Sequence, residues 1–146
     1  EIAGVGLKPD PDTGKLPVPD AWRVPGVETV GFLEDLEPLY DRSIGMLAPI
    51  TGGSGVRLKL LEGFRAGMPV VTTPDGAFGL PLVDGNEALI SNEPAGFAER
   101  VERLVHSAEL RAKLRDEGYA FLERYHSLAV AQNVMRRALG IPEPRA

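Results

Sequence analysis

Short apolar clusters of strand length alternate with helical spacing over the first ninety positions, and helical spacing alone follows them. Ile2-Ala3-Gly4-Val5-Gly6-Leu7 reads as a short buried strand running into a glycine turn. Val27-Glu28-Thr29-Val30 is a second strand ending at Gly31, and residues 44–50 are a third apolar run of strand length. The β-branched Pro69-Val70-Val71-Thr72-Thr73 is a fourth, and Glu87-Ala88-Leu89-Ile90 a short fifth. Asp35 is placed to cap a short helix through Arg42. Val56, Leu60 and Phe64 lie four apart, with Leu58 and Leu61 beside them, which predicts a helix over 56–66. Gly67 ends it as a C′ glycine and Pro69 prevents its continuation. Residues 75–79 read as a turn. From Pro94 the pattern is helical: Phe97, Val101, Leu104 and Val105 make one stripe, Leu110, Leu114, Phe121 and Leu122 a second, and Ser127 caps a last helix through Leu139.

Strands alternating with helices predict an α/β fold, Rossmann-like αβα layers around a mainly parallel sheet. Residues 1–146 suit a single domain. Within it, residues 8–26 read as a Pro-rich surface loop, because Pro9, Pro11, Pro17, Pro19 and Pro25 forbid a long helix. Residues 127–146 are the terminal helix and tail.

Composition narrows the chemistry. With 43% hydrophobic and 25% charged residues the chain can build one core. Sixteen basic against 21 acidic residues leave a net charge of −5, which argues against a nucleic-acid partner. It does not argue against phosphate, which backbone N–H groups can hold. The chain has no cysteine, so disulfides, thiol catalysis and zinc–thiolate sites are excluded, and a cytoplasmic setting fits. No apolar run approaches the ~20 residues that span a bilayer, so no transmembrane segment is expected. Gly4-Val5-Gly6 lacks the third glycine of a dinucleotide fingerprint, because Pro9 stands there, and no G-x-x-x-x-G-K-[ST] exists. His106 and His126 are isolated on helical segments, and no cluster has metal-ligand spacing. The carboxylates of the late helices alternate with Arg100, Arg103, Arg111, Lys113, Arg115 and Arg124, as on a solvated face.

Candidate chemistry gathers after the third strand. Thr51-Gly52-Gly53-Ser54-Gly55 forms a glycine-rich turn at the carboxyl end of that strand, where open α/β sheets bind ligands. The following helix offers unpaired N–H groups and a positive dipole end, a setting for a diphosphate. Arg57 and Lys59 fall in its first turn, where cations gain nothing for the helix and make better sense beside an anion. Glu62 follows Gly55 by seven residues, close to two turns or roughly 10 Å, so one ligand could reach both. Its carboxylate can accept from both hydroxyls of a cis-diol. A plain reading stays open beside this one: the glycines as a tight connection, and Glu62 paired with Lys59 or Arg65.

The stretch Gly53-Ser54-Gly55-Val56-Arg57-Leu58-Lys59-Leu60-Leu61-Glu62-Gly63-Phe64-Arg65-Ala66-Gly67-Met68-Pro69-Val70-Val71-Thr72-Thr73 resembles the signature block of family 4-type (group 1) retaining glycosyltransferases of GT-B fold. Gly31-Phe32-Leu33-Glu34-Asp35-Leu36 with Leu39-Tyr40 resembles the family segment whose backbone meets the nucleobase. Asp84-Gly85-Asn86 before Ala88-Leu89-Ile90 resembles its D-G-x-x-x-L-V segment. The likeness covers residues 27–130 and implies the donor-binding, C-terminal half of a GT-B enzyme, bacterial and working in polysaccharide or glycan biosynthesis. By resemblance, Gly52, Gly53, Ser54, Gly55 and Val56 wrap the diphosphate of a UDP- or GDP-linked sugar and Glu62 holds the ribose. Phe32 and Leu33 meet the base, and Arg57 and Lys59 carry the catalytic charge. The family uses no metal, so no cofactor is expected. Ser54 stands where many relatives carry a glutamate that contacts the donor sugar, so sugar preference does not transfer.

By family order Ile2–Gly6 is the domain's second strand. The first strand and helix, and an N-terminal acceptor domain through which the enzyme could sit at the inner membrane surface, have no counterpart here. The expectation is a gap between strands 2–6 and 44–50, which leaves room for a strand-swapped dimer, and a chain inactive by itself. Two other readings remain: a GT-B-like epimerase or phosphorylase, and a non-catalytic nucleotide-binding αβα module.

Overall fold

The computed structural model describes residues 2–3, 24–31, 33–53, 55 and 57–141. The chain divides into two compact units, Glu1–Leu39 and Tyr40–Ala146. In the first, β1 (Ile2–Ala3) pairs in parallel with β2 (Thr29–Gly31). The remainder of the opening strand, and the proline-rich loop up to residue 23, lie outside the described residues. A short helix, α1 (Glu37–Asp41), begins in this unit and ends in the next. Asp35 starts it as the sequence predicts, its carboxylate accepting the Glu37 N–H at 2.9 Å.

The second unit holds a three-stranded parallel sheet in the order β3 (Met46–Ala48), β4 (Val70–Thr72), β5 (Ala88–Ile90). Met46, Val70 and Ala88 share one register row, and Ala48, Thr72 and Ile90 another. Strand alternation turns these rows to one face and Leu47, Val71 and Leu89 to the other. On the first face Ala48, Val70 and Ala88 pack with Leu60 and Phe64 of α2 (Leu58–Arg65), with Leu80, and with Phe121 of α5 (Ala108–His126). On the second, Val71 and Leu89 pack with Leu104 of α4 (Pro94–His106) and with Leu114 of α5. Helix α5 therefore contributes to both clusters. Burying a side chain the size of Phe64 or Leu104 stabilises the fold by about 1.5–3 kcal/mol. The result is the layered αβα arrangement expected from the sequence.

The ends of the elements explain where the sequence reading was imprecise. Helix α2 closes as predicted: Gly67 at φ 68° donates to Phe64 O at 3.0 Å and Met68 to Gly63 O at 2.8 Å, the two bonds of a Schellman cap. It begins later than the predicted residue 56, with Arg57 as its N-cap and no side-chain cap bond. Leu58, placed in the buried stripe by spacing, is 65% exposed, because the buried line runs through Leu60, Gly63 and Phe64. Residues 75–79 are not simply a turn. Pro74–Ala77 form a short helix, α3, whose N-cap Thr73 accepts the Gly76 N–H at 3.0 Å. Val105, also assigned to a buried stripe, is exposed on α4. The last helix, α6 (Leu128–Leu139), is capped by Ser127 as expected and buries no residue.

The basic residues of the late helices are not all a solvated face. Arg111 donates to Leu104 O at 2.7 Å and to Val105 O at 2.8 Å, covering the open carbonyls of α4. Lys113 donates to Gly85 O at 2.7 Å, and Arg100 pairs with Asp84 at 2.8 Å. His106 and His126 are exposed in the last turns of α4 and α5. Among the described residues no helix is long and apolar enough to cross a membrane.

Candidate functional site

The parallel strands of the second unit end together, and their carboxyl ends carry the glycine loop, the start of α2 and α3. Gly52, Gly53 and Gly55 have φ of 74°, 91° and 92°, left-handed values that a side chain would resist. The loop thus turns sharply out of β3 and leaves its backbone exposed. A side chain at Gly53 would also press on Arg57, with Nη1 only 3.1 Å from its Cβ.

Side chains beyond the loop fix its course. Thr72 Oγ1 donates to Ala48 O at 2.9 Å, and Thr73 Oγ1 donates to Ile50 O, tying β4 to the end of β3. The Asp75 carboxylate accepts the Gly52 N–H at 2.7 Å. Arg57 Nη2 donates to Gly52 O at 3.0 Å and Gly53 O at 3.1 Å, and Nε to Asp75 O at 3.1 Å. Arg57 is thus the N-cap residue and not a first-turn cation, and its side chain is bonded within the protein. One edge of its guanidinium holds the loop, and Nη1 makes no hydrogen bond to a described residue.

Lys59 and Glu62 stand on the exposed side of α2, three residues apart and so on neighbouring turns. Among the described residues neither side chain has a hydrogen bond or ion pair. The pairing of Glu62 with Lys59 or Arg65 that the plain reading offers is absent there. Because α2 starts only at Leu58, Gly55 and Glu62 are not separated by two turns of continuous helix, and the 10 Å estimate does not carry over. Of the other candidates, Leu33 is half-buried in the first unit, while Phe32, Ser54 and Val56 lie outside the described residues. The structure therefore brings together Gly52, Gly53, Gly55, Arg57, Lys59 and Glu62 in one unit.

Asp75, Thr73 and Gly76 were missed, although the sequence signals them: Thr73-Pro74-Asp75-Gly76 is a capping residue, a proline at N1 and an acid in the first turn. Reading 75–79 as a plain turn hid it. The D-G segment before β5 serves the scaffold. Asp84 accepts the Ile90 N–H at 2.7 Å and Arg100 Nη2 at 2.8 Å. Partial burial raises its pKa, but the Arg100 hydrogen bond, the Ile90 N–H and the charges of Arg100 and Arg103 outweigh that and hold it below the ordinary value. Glu87, only 4% exposed, accepts the Val83 N–H at 2.8 Å and Asn86 Nδ2 at 3.0 Å.

An open recess of about 590 Å³ is lined by Arg103, His106, Ser107, Glu109, Leu110 and Lys113. It lies at the α4–α5 junction. Helix α4 leaves the carboxyl end of β5, so its last turn is at the opposite end of the sheet from the glycine loop, away from where such sheets bind ligands. Among the described residues no group of three or more His, Asp or Glu could hold a metal ion.

Residues 2–107 match the family model described as glycosyl transferases group 1. An uncharacterized 44.6 kDa protein in the cps region of Klebsiella pneumoniae is 27% identical over 104 residues, 70% of this chain and 27% of that protein. An uncharacterized glycosyltransferase of Methanocaldococcus jannaschii is 26% identical over 88 residues, 59% of this chain and 25% of the relative. The chain thus spans about a quarter of the length of these relatives. A crystal structure of the C-terminal domain of a glycosyl transferase group 1 family protein, LpcC of Francisella tularensis, matches the fold with a TM-score of 0.60. That match is at 20% identity, covering 70% of this chain and 54% of the other.

Proposed function

Since the chain belongs to the glycosyl transferases group 1 family, we propose that it binds the nucleoside-diphosphate sugar from which a retaining hexosyltransferase moves the sugar to its acceptor. The diphosphate lies against the backbone of residues 52–55 and the start of α2, where Lys59 and Arg57 Nη1, which bonds to no described residue, supply positive charge. Glu62 accepts from the ribose hydroxyls. In the transfer, the bond between the anomeric carbon and the diphosphate oxygen breaks. A bond to an acceptor oxygen forms, and the acceptor hydroxyl loses its proton. Charge grows on the leaving diphosphate, and donors already fixed in place stabilise it without reorganising, so the reading calls for no metal. The acceptor side belongs to a further domain of the whole enzyme. Polysaccharide assembly as its setting draws support from the cps region that names the Klebsiella relative.

The observation that carries this reading is the pair formed by an exposed, left-handed glycine loop leading into α2 and an exposed carboxylate, Glu62, in the second turn of that helix, with no partner among the described residues. Titrating the ¹⁵N-labelled chain with UDP, GDP and ADP tests it. Amide shifts confined to residues 52–59, Glu62 and residues 32–33 are expected for one base above the others. A folded spectrum unmoved by all three would sink the proposal.

A further inference from the structure

Asp75 belongs to no motif recognised in the sequence, yet it holds the glycine loop from two sides. Its carboxylate accepts the Gly52 N–H at 2.7 Å from 23 residues away in the chain. Its carbonyl accepts Arg57 Nε at 3.1 Å, and the same guanidinium reaches back through Nη2 to Gly52 O and Gly53 O. Loop, Arg57 and Asp75 thus close a ring of hydrogen bonds. Below them Asp75 is anchored by α3, whose cap Thr73 is itself bonded to Ile50 O at the mouth of the loop. Gly76 lets α3 sit that low, because a side chain there would run into Thr72 Oγ1.

Two consequences follow from the geometry. Glycine has more backbone freedom to lose than any other residue, so a loop with Gly52, Gly53 and Gly55 held at positive φ gains its defined shape from restraints outside it. The guanidinium is also planar and rigid, so fixing Nε and Nη2 fixes where Nη1 points. The partner of Arg57 on Asp75 is the carbonyl, not the carboxylate, so the arrangement depends on the place of Asp75 in α3 as much as on its charge.

We propose that Asp75 is a positioning residue for the donor site: through Gly52 and Arg57 it sets the shape of the glycine loop and aims Arg57 Nη1, which bonds to no described residue, at the donor diphosphate. The inference rests on the donor-site reading above. Asp75 does not touch the diphosphate in this arrangement. It acts by making the loop and the cation ready before the ligand arrives, which lowers the ordering cost of binding.

The test compares the ¹⁵N-labelled wild-type chain with Asp75→Ala and Asp75→Asn, each titrated with UDP and GDP, while the Arg57 Nε–H resonance and the thermal midpoint are recorded. Asparagine keeps an oxygen for the Gly52 N–H and alanine does not. Asp75→Ala is expected to bind the preferred nucleotide about five- to tenfold more weakly, the scale of one lost hydrogen bond. Its Arg57 Nε–H signal moves in the free protein. Asp75→Asn stays within about twofold of wild type. Arg57→Lys gives a second reading of the same ring: lysine keeps the charge but not the fork, and is expected to bind as weakly as Arg57→Ala. Tighter or equal binding by Asp75→Ala, equal weakening by both Asp75 variants, or rescue by Arg57→Lys would each overturn the positioning role while leaving the donor site standing. A wild-type chain that binds neither nucleotide overturns the donor-site reading, and the role of Asp75 with it.

Discussion

At the level of single residues, burial and bonding separate groups that look alike in sequence. Arg57 and Lys59 are both cations beside a glycine loop, but one is tied to carbonyls and the other stands in solvent. Nothing in residue type or spacing distinguishes them, because the difference is made by Asp75, on an element that follows the next strand. Glu62 was legible: helix periodicity puts it opposite Leu60 and Phe64, and the structure leaves it exposed. If its carboxylate accepts from both ribose hydroxyls, Glu62→Gln gives up one charged acceptor. Bonds to charged groups contribute about 1.5–3 kcal/mol, so affinity for the preferred nucleoside diphosphate is expected to fall about tenfold or more. The 2′-deoxy nucleotide supplies the sharper check. Wild type should prefer the ribo form in calorimetry and Glu62→Gln should not; a variant that keeps the preference would remove Glu62 from the ribose.

At the level of elements, ends were harder to read than existence. The C-terminus of α2 was readable because Gly67 and Pro69 act through local backbone geometry. Its N-terminus was not, because Arg57 is no ordinary capping residue and its side chain is held by bonds reaching across the loop and to α3. The charges near β5 show the same limit. Arg100 and Asp84 are sixteen residues apart, and sequence alone gave no reason to join them. Their bond fastens α4 to the chain entering β5, and its pH dependence has a definite sign. The Asp84 pKa is lowered in the folded protein. The stabilisation is therefore fully present above the unfolded-state pKa and is lost as pH falls through the folded value. Asp84→Asn is expected to flatten the acid limb of the stability curve, below about pH 4, with the effect kept small by the exposure of the pair. Denaturant midpoints at pH 3 and pH 6 would show it. A variant losing as much stability between those values as wild type would mean that other carboxylates carry the acid response.

At the level of the whole chain, the order of strands and helices followed from hydrophobic period, but the division of roles among the late helices did not. Spacing gave α5 an apolar stripe and marked α6 by its Ser127 cap, and only packing shows how far they differ. Leu114 is fully buried and Phe121 nearly so, one in each core cluster, and Phe121 meets Phe64 edge-on at 5.7 Å between ring centroids. In contrast α6 buries nothing, and Leu128, Val134, Met135 and Leu139 are exposed along it. The family match stops at residue 107, short of both helices, so similarity alone would assign them equal importance. Packing predicts otherwise. Truncating a buried leucine or phenylalanine to alanine costs about 2–5 kcal/mol, and deleting α5 removes two such side chains while uncovering Phe64 and Leu104. Against a total stability on the order of 5–15 kcal/mol, that loss leaves no cooperative fold. A chain ending at residue 127 loses no buried side chain among the described residues. It should keep the amide spectrum of β3, β4 and β5 and melt near the wild-type temperature, whereas a chain ending at residue 107 should show neither a dispersed spectrum nor a melting transition. If instead the chain ending at 127 collapsed as well, the exposed side of α6 would be contributing stability that its burial does not account for.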